Sequence, residues 1–227
     1  MKRSSIEESV NWAKKLAESN NVNLPDFAVW SIEKWKQNAE SAKIIFETKL
    51  GWDVTDFTSD DFDRVGCVLF TSRNGSKENV KIGTPYAEKY IFIKEGQILP
   101  MHFHYDKTED IINRCGGVMV VELYNANKDL TVDYKSDVSV VIDGIESSYK
   151  AGELIYIYPG NSITLTPYMY HSFGAAEGKG ELICGEISSV NEDNKDNHFA
   201  QKIERFSSIE ENVPMTVILC NEYSNLM

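Results

Sequence analysis

The stretch that decides the fold lies at residues 96–116 and reads GQILPMHFHYDKTEDIINRCG. The stretch has a glycine at each end and apolar residues after the first one, a pattern typical of a short strand bounded by turns. Alternate side chains of a strand share a face, so His102 and His104 point the same way, about 7 Å apart at Cα. Glu109 follows five residues later, close enough for a turn to return it to that face. The stretch therefore predicts two imidazoles and a carboxylate on one side of a strand.

Short apolar or alternating runs surround this stretch from residue 65 onward. Turn residues such as Asn74-Gly75 and Pro159-Gly160 separate them. The runs lie at residues 65–71, 86–94, 118–124, 138–142, 154–158, 162–166, 171–173, 181–187 and 216–220. Because no helical pattern intervenes, they predict a mainly β fold, an antiparallel sandwich or barrel. The polar residues 191–197 are expected to form a loop.

The N-terminal residues follow a helical pattern instead. Ser4 and Glu7 form a capping box, which recurs one residue later. Apolar residues at intervals of three and four follow it, namely Ile6, Val10, Ala13, Leu16 and Ala17. Further helical segments are expected within residues 27–35 and 40–50. We therefore predict one domain over residues 1–227, with a helical region at 1–60 packed on a β-barrel at 61–227.

Composition limits the class of protein. The 227 residues are 42% hydrophobic, enough for a sizeable core, which excludes a disordered chain. Lys and Arg number 23 against 35 Asp and Glu, a net charge of −12, so neither nucleic acid nor membrane partners are expected. No run approaches the roughly 20 apolar residues of a membrane span. The start also lacks a signal-peptide pattern, which predicts a cytoplasmic protein whose four separated cysteines are free thiols.

A third histidine completes a candidate metal site. His171 lies within residues 168–173, another strand candidate. Three imidazoles and one carboxylate suit Mn²⁺, Fe²⁺, Co²⁺, Ni²⁺ or Zn²⁺. Burial of three imidazoles and a carboxylate on one face is costly unless these polar groups share a partner, such as a metal ion. The predicted metal ligands are His102, His104, Glu109 and His171, whereas His198, in a charged loop, is expected to be an ordinary surface residue.

The spacing of these residues resembles a known superfamily. Residues 96–116 match the first cupin signature at every spacing. Gly152, Pro159-Gly160 and His171 resemble the second, although the usual Pro-x-Gly is Pro-Gly and His171 lies farther along the chain. Over nearly the whole chain the sequence resembles the D-lyxose ketol-isomerase family, at residues 50–57, 86–89, 102–104, 107, 109–114, 185–188 and 196–197.

This resemblance implies both a fold and a reaction. It implies a single cupin-type antiparallel β-barrel, or jelly roll, with N-terminal helices, a divalent metal of the Mn²⁺ type, and a homodimer. The implied substrate is a small neutral sugar, through interconversion of D-lyxose with D-xylulose and of D-mannose with D-fructose.

Aldose–ketose exchange needs a base for the C2 proton. We assign Glu186 as the general base and Lys89 or Lys107 as acid or oxyanion partner; Glu122 and Glu204 are the alternative carboxylates. Each also has a structural interpretation: the lysines as solvated or salt-bridged residues, and Glu186 as an outward residue of an alternating strand. Three residues near the C-terminus would bind sugar hydroxyls or cap the polar loop, namely Asp193, Asp196 and Arg205.

Other functions use similar ligands. A cupin isomerase of phosphorylated sugars would need a phosphate clamp, but the chain has no glycine-rich phosphate loop and only five arginines. An Fe²⁺ dioxygenase and a non-catalytic sugar- or metal-binding cupin remain alternatives. The sequence therefore favours a neutral-sugar isomerase without excluding these classes.

Overall fold

The computed structural model describes residues 1–226, without the side chains of Asp193 and Asn194. The helices are α1 (Arg3–Ser19), α2 (Ile32–Gln37), α3 (Lys43–Glu47) and α4 (Asp193–Asp196), and 3₁₀ turns cover Asp26–Val29 and Tyr223–Leu226. The strands are β1 (Gly51–Thr55), β2 (Cys67–Gly75), β3 (Gly83–Ile93), β4 (Ile98–His104), β5 (Glu109–Gly116), β6 (Met119–Ala126), β7 (Val132–Asp133), β8 (Val138–Ile142), β9 (Ile145–Tyr149), β10 (Leu154–Ile157), β11 (Ser162–Leu165), β12 (Met169–Ala175), β13 (Leu182–Ser189) and β14 (Asn197–Phe199).

Two curled antiparallel sheets form the barrel. Within the described residues, one has eight strands in the order β1-β2-β3-β13-β5-β11-β8-β9. The other has the order β10-β6-β12-β4-β14, and β7 pairs with β6 at its side. The predicted mainly β, cupin-type barrel is therefore confirmed.

Alternation along the strands fills the space between the sheets. On β6, Val121 and Leu123 face the core, while the alternate residues Val120 and Glu122 are more exposed. On β13, Leu182 and Cys184 belong to the same core. This pattern buries one face of each strand and determines which polar residues point inward. Within the described residues, the four cysteines form no disulfide bond.

Helix α1 covers the outer face of the larger sheet. Its residues Ile6, Val10 and Ala13 share an apolar cluster with Trp52 and Phe70 of that sheet. Burial of this helical stripe against the sheet explains why the N-terminal helices stay attached to the barrel. Among residues 1–226, no helix is both long and apolar enough to cross a membrane.

The start of α1 differs from the capping-box prediction. The helix begins at Arg3, and its N-cap Lys2 provides no side-chain bond. The Glu7 carboxylate instead accepts the backbone N–H groups of Thr216 and Val217, at 2.7 and 3.0 Å. The predicted caps are wrong because the Glu7 carboxylate accepts hydrogen bonds from a segment about 210 residues away instead of from the start of its own helix. A local sequence pattern contains no information about such distant donors.

Three other elements differ from expectation. β1 lies inside residues 1–60, so the chain enters the barrel sheet at Gly51, before the predicted boundary. The run 216–220 forms no strand and only an isolated parallel bridge, Trp52 to Leu219. Residues 191–197, predicted as a loop, include α4 and the start of β14, which pairs with the end of β4. In each case pairing with a distant segment decides the local structure.

Candidate metal and active site

The four predicted metal ligands meet inside the barrel. His102 and His104 lie on β4, and His171 on β12 is the direct cross-strand partner of His102. Glu109 begins β5 in the opposite sheet, so the turn at residues 105–108 carries it across to face the histidines. All four side chains are buried. The histidine ligand atoms lie within 4.8 Å of one another, an arrangement that could hold a metal ion.

Backbone carbonyls orient two of the imidazoles. The Nδ1 of His102 lies 2.8 Å from the carbonyl oxygen of Pro100, and the Nδ1 of His171 lies 2.9 Å from that of Met169. Because a carbonyl only accepts, each Nδ1 donates and Nε2 keeps its lone pair. The buried Nε2 of His171 has no hydrogen-bond partner among the described residues. A buried, unsatisfied lone pair fits a metal ligand.

The carboxylate of Glu109 completes this donor set. Its Oε1 lies 3.2 Å from Nε2 of His104 and 3.3 Å from Nε2 of His171. Its Oε2 accepts from the Lys107 ammonium at 2.6 Å. One oxygen therefore faces the histidines while the other is held by a cation, which fits a single-oxygen ligand of a divalent ion.

Burial and neighbouring charges set the ionisation of these groups. Burial, then repulsion by His171 and His104, hold the pKa of His102 well below 6.5. Burial and then Lys107 likewise lower the pKa of His104. Burial acts to raise the pKa of Glu109, but Lys107 and the imidazoles outweigh it and keep that pKa well below 4.5. At neutral pH His102 and His104 are therefore neutral and Glu109 is ionised, the forms that bind metal.

A buried network of opposite charges adjoins the ligands. Oε1 of Glu186 lies 3.1 Å from the Lys107 ammonium and 3.2 Å from the Lys89 ammonium. It also accepts the hydroxyl of Ser188 at 3.1 Å. The two lysines and Glu186 are all less than 5% exposed. Lys107 thus bridges a predicted ligand, Glu109, and the predicted base, Glu186.

Strand register explains why these side chains meet. Glu186 on β13 is the direct cross-strand partner of Lys89 on β3. On its other side it pairs with Ile111 of β5, two residues from Glu109. Glu186 also shares the inward face with Cys184, which resolves the ambiguity of the alternating run. Ser188, two residues farther on, was missed by the sequence analysis, although period-2 alternation from Glu186 locates it on this face.

Two connected cavities lead to the network. The inner one, about 40 Å³, is lined by His102, His104, Lys107 and Glu186 among others. An outer cleft of about 280 Å³ shares Leu69, Lys89 and Arg205 with it. The three shared residues therefore place the outer cleft directly beside the space that the histidines line.

The predicted sugar-binding residues differ in what the structure describes. Arg205 lies where the two cavities meet, and its Nη2 donates to Asp53 at 2.7 Å. Its guanidinium also packs on the ring of Phe206, 4.9 Å from the centroid. The side chain of Asp193 lies outside the described residues. Asp53, which the sequence analysis missed, is buried within β1.

Two other predictions change. His198 is not an ordinary surface residue: on β14 it stacks on Phe103, with centroids 4.7 Å apart, and its Nδ1 lies 2.9 Å from the hydroxyl of Tyr105. Pairing of β14 with β4 brings it there, on the opposite side of β4 from the metal ligands. Neither alternative base lines the two cavities, since Glu122 points outward to Tyr124 and Glu204 is exposed.

Comparisons with known proteins agree with this geometry. Residues 1–223 match the family model described as D-lyxose isomerase. A D-lyxose/D-mannose isomerase from Escherichia coli O157:H7 is 45% identical over 225 residues, 98% of each chain. Another from Serratia proteamaculans is 44% identical over 226 residues, again 98% of each chain.

Solved structures share the fold at low sequence identity. The L-ribose isomerase of Cellulomonas parahominis, solved with L-ribose, superposes with a TM-score of 0.57 at 14% identity, over 92% of this chain and 98% of that one. The L-ribose isomerase of Geodermatophilus obscurus gives 0.56 at 15%, with the same coverage. These structural neighbours support the barrel architecture. The family assignment itself rests on the family model and on the two relatives. The chain belongs to the D-lyxose isomerase family.

Proposed function

We propose that this protein is a metal-dependent aldose–ketose isomerase that interconverts D-lyxose with D-xylulose and D-mannose with D-fructose. His102, His104, Glu109 and His171 hold the ion, which is Mn²⁺ or a similar divalent metal. The observation that carries the proposal is the buried line of contacts from the histidines through Glu109 and Lys107 to Glu186 and Lys89. The two relatives described above, named for lyxose and mannose, support the choice of substrate.

Each part of the network has a task in moving one proton between neighbouring carbons. When bound, a divalent ion supplies a Lewis acid for the sugar oxygens at C1 and C2. Glu186 removes the proton from C2 and returns it to C1, while Lys89 or Lys107 acts as the acid that donates a proton to O1 and recovers one from the O2 hydroxyl. Lys89 and Lys107 favour the ionised form of Glu186 that accepts this proton, and their ammonium groups stabilise negative charge on the sugar oxygens.

Arg205 and Asp193 bind the far hydroxyl groups of the sugar in this proposal. Arg205 borders both cavities and is oriented by Asp53, so its guanidinium lies where a sugar would leave the inner cavity. A homodimer and a cytoplasmic location stay predictions from the sequence resemblance.

The test is metal analysis followed by parallel assays of D-lyxose, D-mannose and their phosphorylated counterparts. We expect turnover of the neutral sugars, loss of activity on chelation, and recovery with Mn²⁺. In deuterated water, deuterium should appear at the transferred carbon, because a protein base exchanges its proton. Preference for a phosphorylated sugar, oxygen consumption, or sugar binding without turnover would instead identify one of the other three classes of cupin.

A further inference from the structure

His104 differs from the other two histidines in how its ring is held. His102 and His171 each have Nδ1 bonded to a backbone carbonyl. The Nδ1 of His104 is buried and has no hydrogen-bond partner among the described residues. The nearest opposite group is Oδ2 of Asp196, 4.0 Å away, and this oxygen is also buried without a hydrogen bond in the described part of the chain. Two buried atoms without hydrogen bonds therefore face each other, while Nε2 of the same ring lies 3.2 Å from Oε1 of Glu109.

Asp196 is fixed in this position by the turn that follows β4. Its Oδ1 accepts the backbone N–H of Asp106 at 2.9 Å, and its carbonyl oxygen accepts that of Tyr105 at 3.1 Å. The side chain is only 6% exposed. With one carboxylate oxygen occupied by the turn, the other remains directed at the imidazole. A small rotation of either group would close the gap to an ordinary hydrogen bond of about 2.8 Å.

We infer that Asp196 is a positioning residue that accepts a hydrogen bond from Nδ1 of His104, and thereby holds Nε2 as the metal-binding nitrogen. This inference rests on the proposed role of His104 as a ligand. A carboxylate only accepts, so Asp196 favours the Nδ1–H form, as the two carbonyls do for the other rings. It competes with Oε1 of Glu109, which lies 3.2 Å from Nε2 but belongs to a carboxylate whose charge Lys107 already offsets. All three imidazoles would then offer Nε2 to one centre. Asp196 is buried and is hydrogen-bonded to the backbone of Asp106, so this positioning role requires no contact between Asp196 and the sugar.

The decisive variant is Asp196→Asn, because it preserves shape while changing the acceptor. If the single amide oxygen stays with Asp106, the NH₂ group faces His104 and favours its Nε2–H form, which removes the lone pair that metal needs. The control is Asp133→Asn, because Asp133 also accepts a backbone N–H, from Lys135 at 2.9 Å, in an exposed turn. Both are studied in the full-length protein after chelation of metal.

The first measurement is the tautomer of each ring by long-range ¹H–¹⁵N spectroscopy, which is tractable because the chain has four histidines. We expect His102, His104 and His171 to carry Nδ1–H in the parent. Asp196→Asn should convert His104 alone. Unchanged signals of the other two rings would show that the variant is folded. An Nε2–H form of His104 in the parent, or an unchanged His104 in the variant, would overturn the inference.

The second measurement is titration with Mn²⁺. Asp196→Asn should raise the Kd by about 10- to 100-fold, the usual effect of losing an outer partner of a metal-binding histidine, and Asp133→Asn should not. An unchanged Kd would overturn the positioning role. If the parent itself binds no Mn²⁺, the proposed metal site fails, and with it any role of Asp196 in metal binding. The tautomers would still decide whether Asp196 orients His104.

Discussion

Replacement of Glu186 by glutamine would remove the proposed base with little change of shape. The amide oxygen can still accept from Ser188 and face the ammonium groups of Lys89 and Lys107. An amide cannot take up the C2 proton, however. General-base catalysis contributes about 10²- to 10⁴-fold to a rate, which corresponds to roughly 2.7–5.4 kcal/mol of activation free energy. We expect kcat to fall by that factor while the affinity for Mn²⁺ stays near the parent value.

The same change has a cost in stability that the contacts limit. Removal of one partner from a buried ion pair destabilises a protein by about 3–5 kcal/mol. Lys107 keeps Glu109 at 2.6 Å, so the loss falls mainly on the pair of Lys89 with Glu186. We therefore expect the free energy of unfolding to fall by about 3 kcal/mol, the lower end of that range.

Steady-state kinetics on D-lyxose, metal titration and urea denaturation separate these effects. The matched control is Glu122→Gln, which neutralises a carboxylate on the outer side of β6 and should leave kcat unchanged. Near-full turnover by Glu186→Gln would refute its role as base. Loss of turnover in the Glu122 variant instead would transfer that role, even though the contacts of Glu122 lie outside the cavities.

Three further outcomes test other parts of the molecule. Alanine substitution of any proposed ligand should lower the metal content measured by elemental analysis, namely His102, His104, Glu109 or His171. The His198→Ala variant should retain the metal, because the ring of His198 lies on the far side of Phe103 from the site. The free energy of unfolding of the metal-free protein should fall as the pH drops through about 6.5. Burial lowers the pKa of His102 and His104 in the folded protein, so these imidazoles take up protons first in the unfolded chain. Urea midpoints between about pH 8 and pH 5.5 would show this loss, and a flat profile would contradict it. Arg3→Met should lower the free energy of unfolding by about 3 kcal/mol, because it leaves the nearly buried Glu222 unpaired, whereas the second partner, Glu211, is exposed. A stability equal to that of the parent would show that this contact is unimportant.

The sequence predicts the barrel and its inward ligands well because both depend on a period of two. His102 and His104 share a face by alternation alone, and the turn brings Glu109 to them as expected. Alternation cannot decide which face of an isolated strand is buried, so Glu186 stayed ambiguous. The answer comes from its register with Lys89 across β13 and β3. That register is a property of two segments about a hundred residues apart.

Segments controlled by long-range contacts were predicted least well. Glu7 looks like a helix cap, yet it binds backbone groups about 210 residues away. The polar composition of residues 191–197 favours a loop, but Tyr105 and Asp106 bond to Asp196 and set the conformation there. Charged composition likewise predicted an exposed His198, which the pairing of β14 with β4 buries in part. Local composition carries no information about such partners.

The charge balance of the interior bears on the choice of substrate. Glu109 and Glu186 offset Lys89 and Lys107, so this buried group is formally neutral. With the proposed divalent ion bound, the interior would carry excess positive charge around the sugar. A neutral sugar gains little from that charge at rest, but gains strongly as negative charge develops on its oxygens when the C2 proton leaves. Interactions that strengthen only in the transition state accelerate a reaction, whereas those equally strong in the bound substrate do not. An uncharged aldose is therefore the substrate for which this network is most effective.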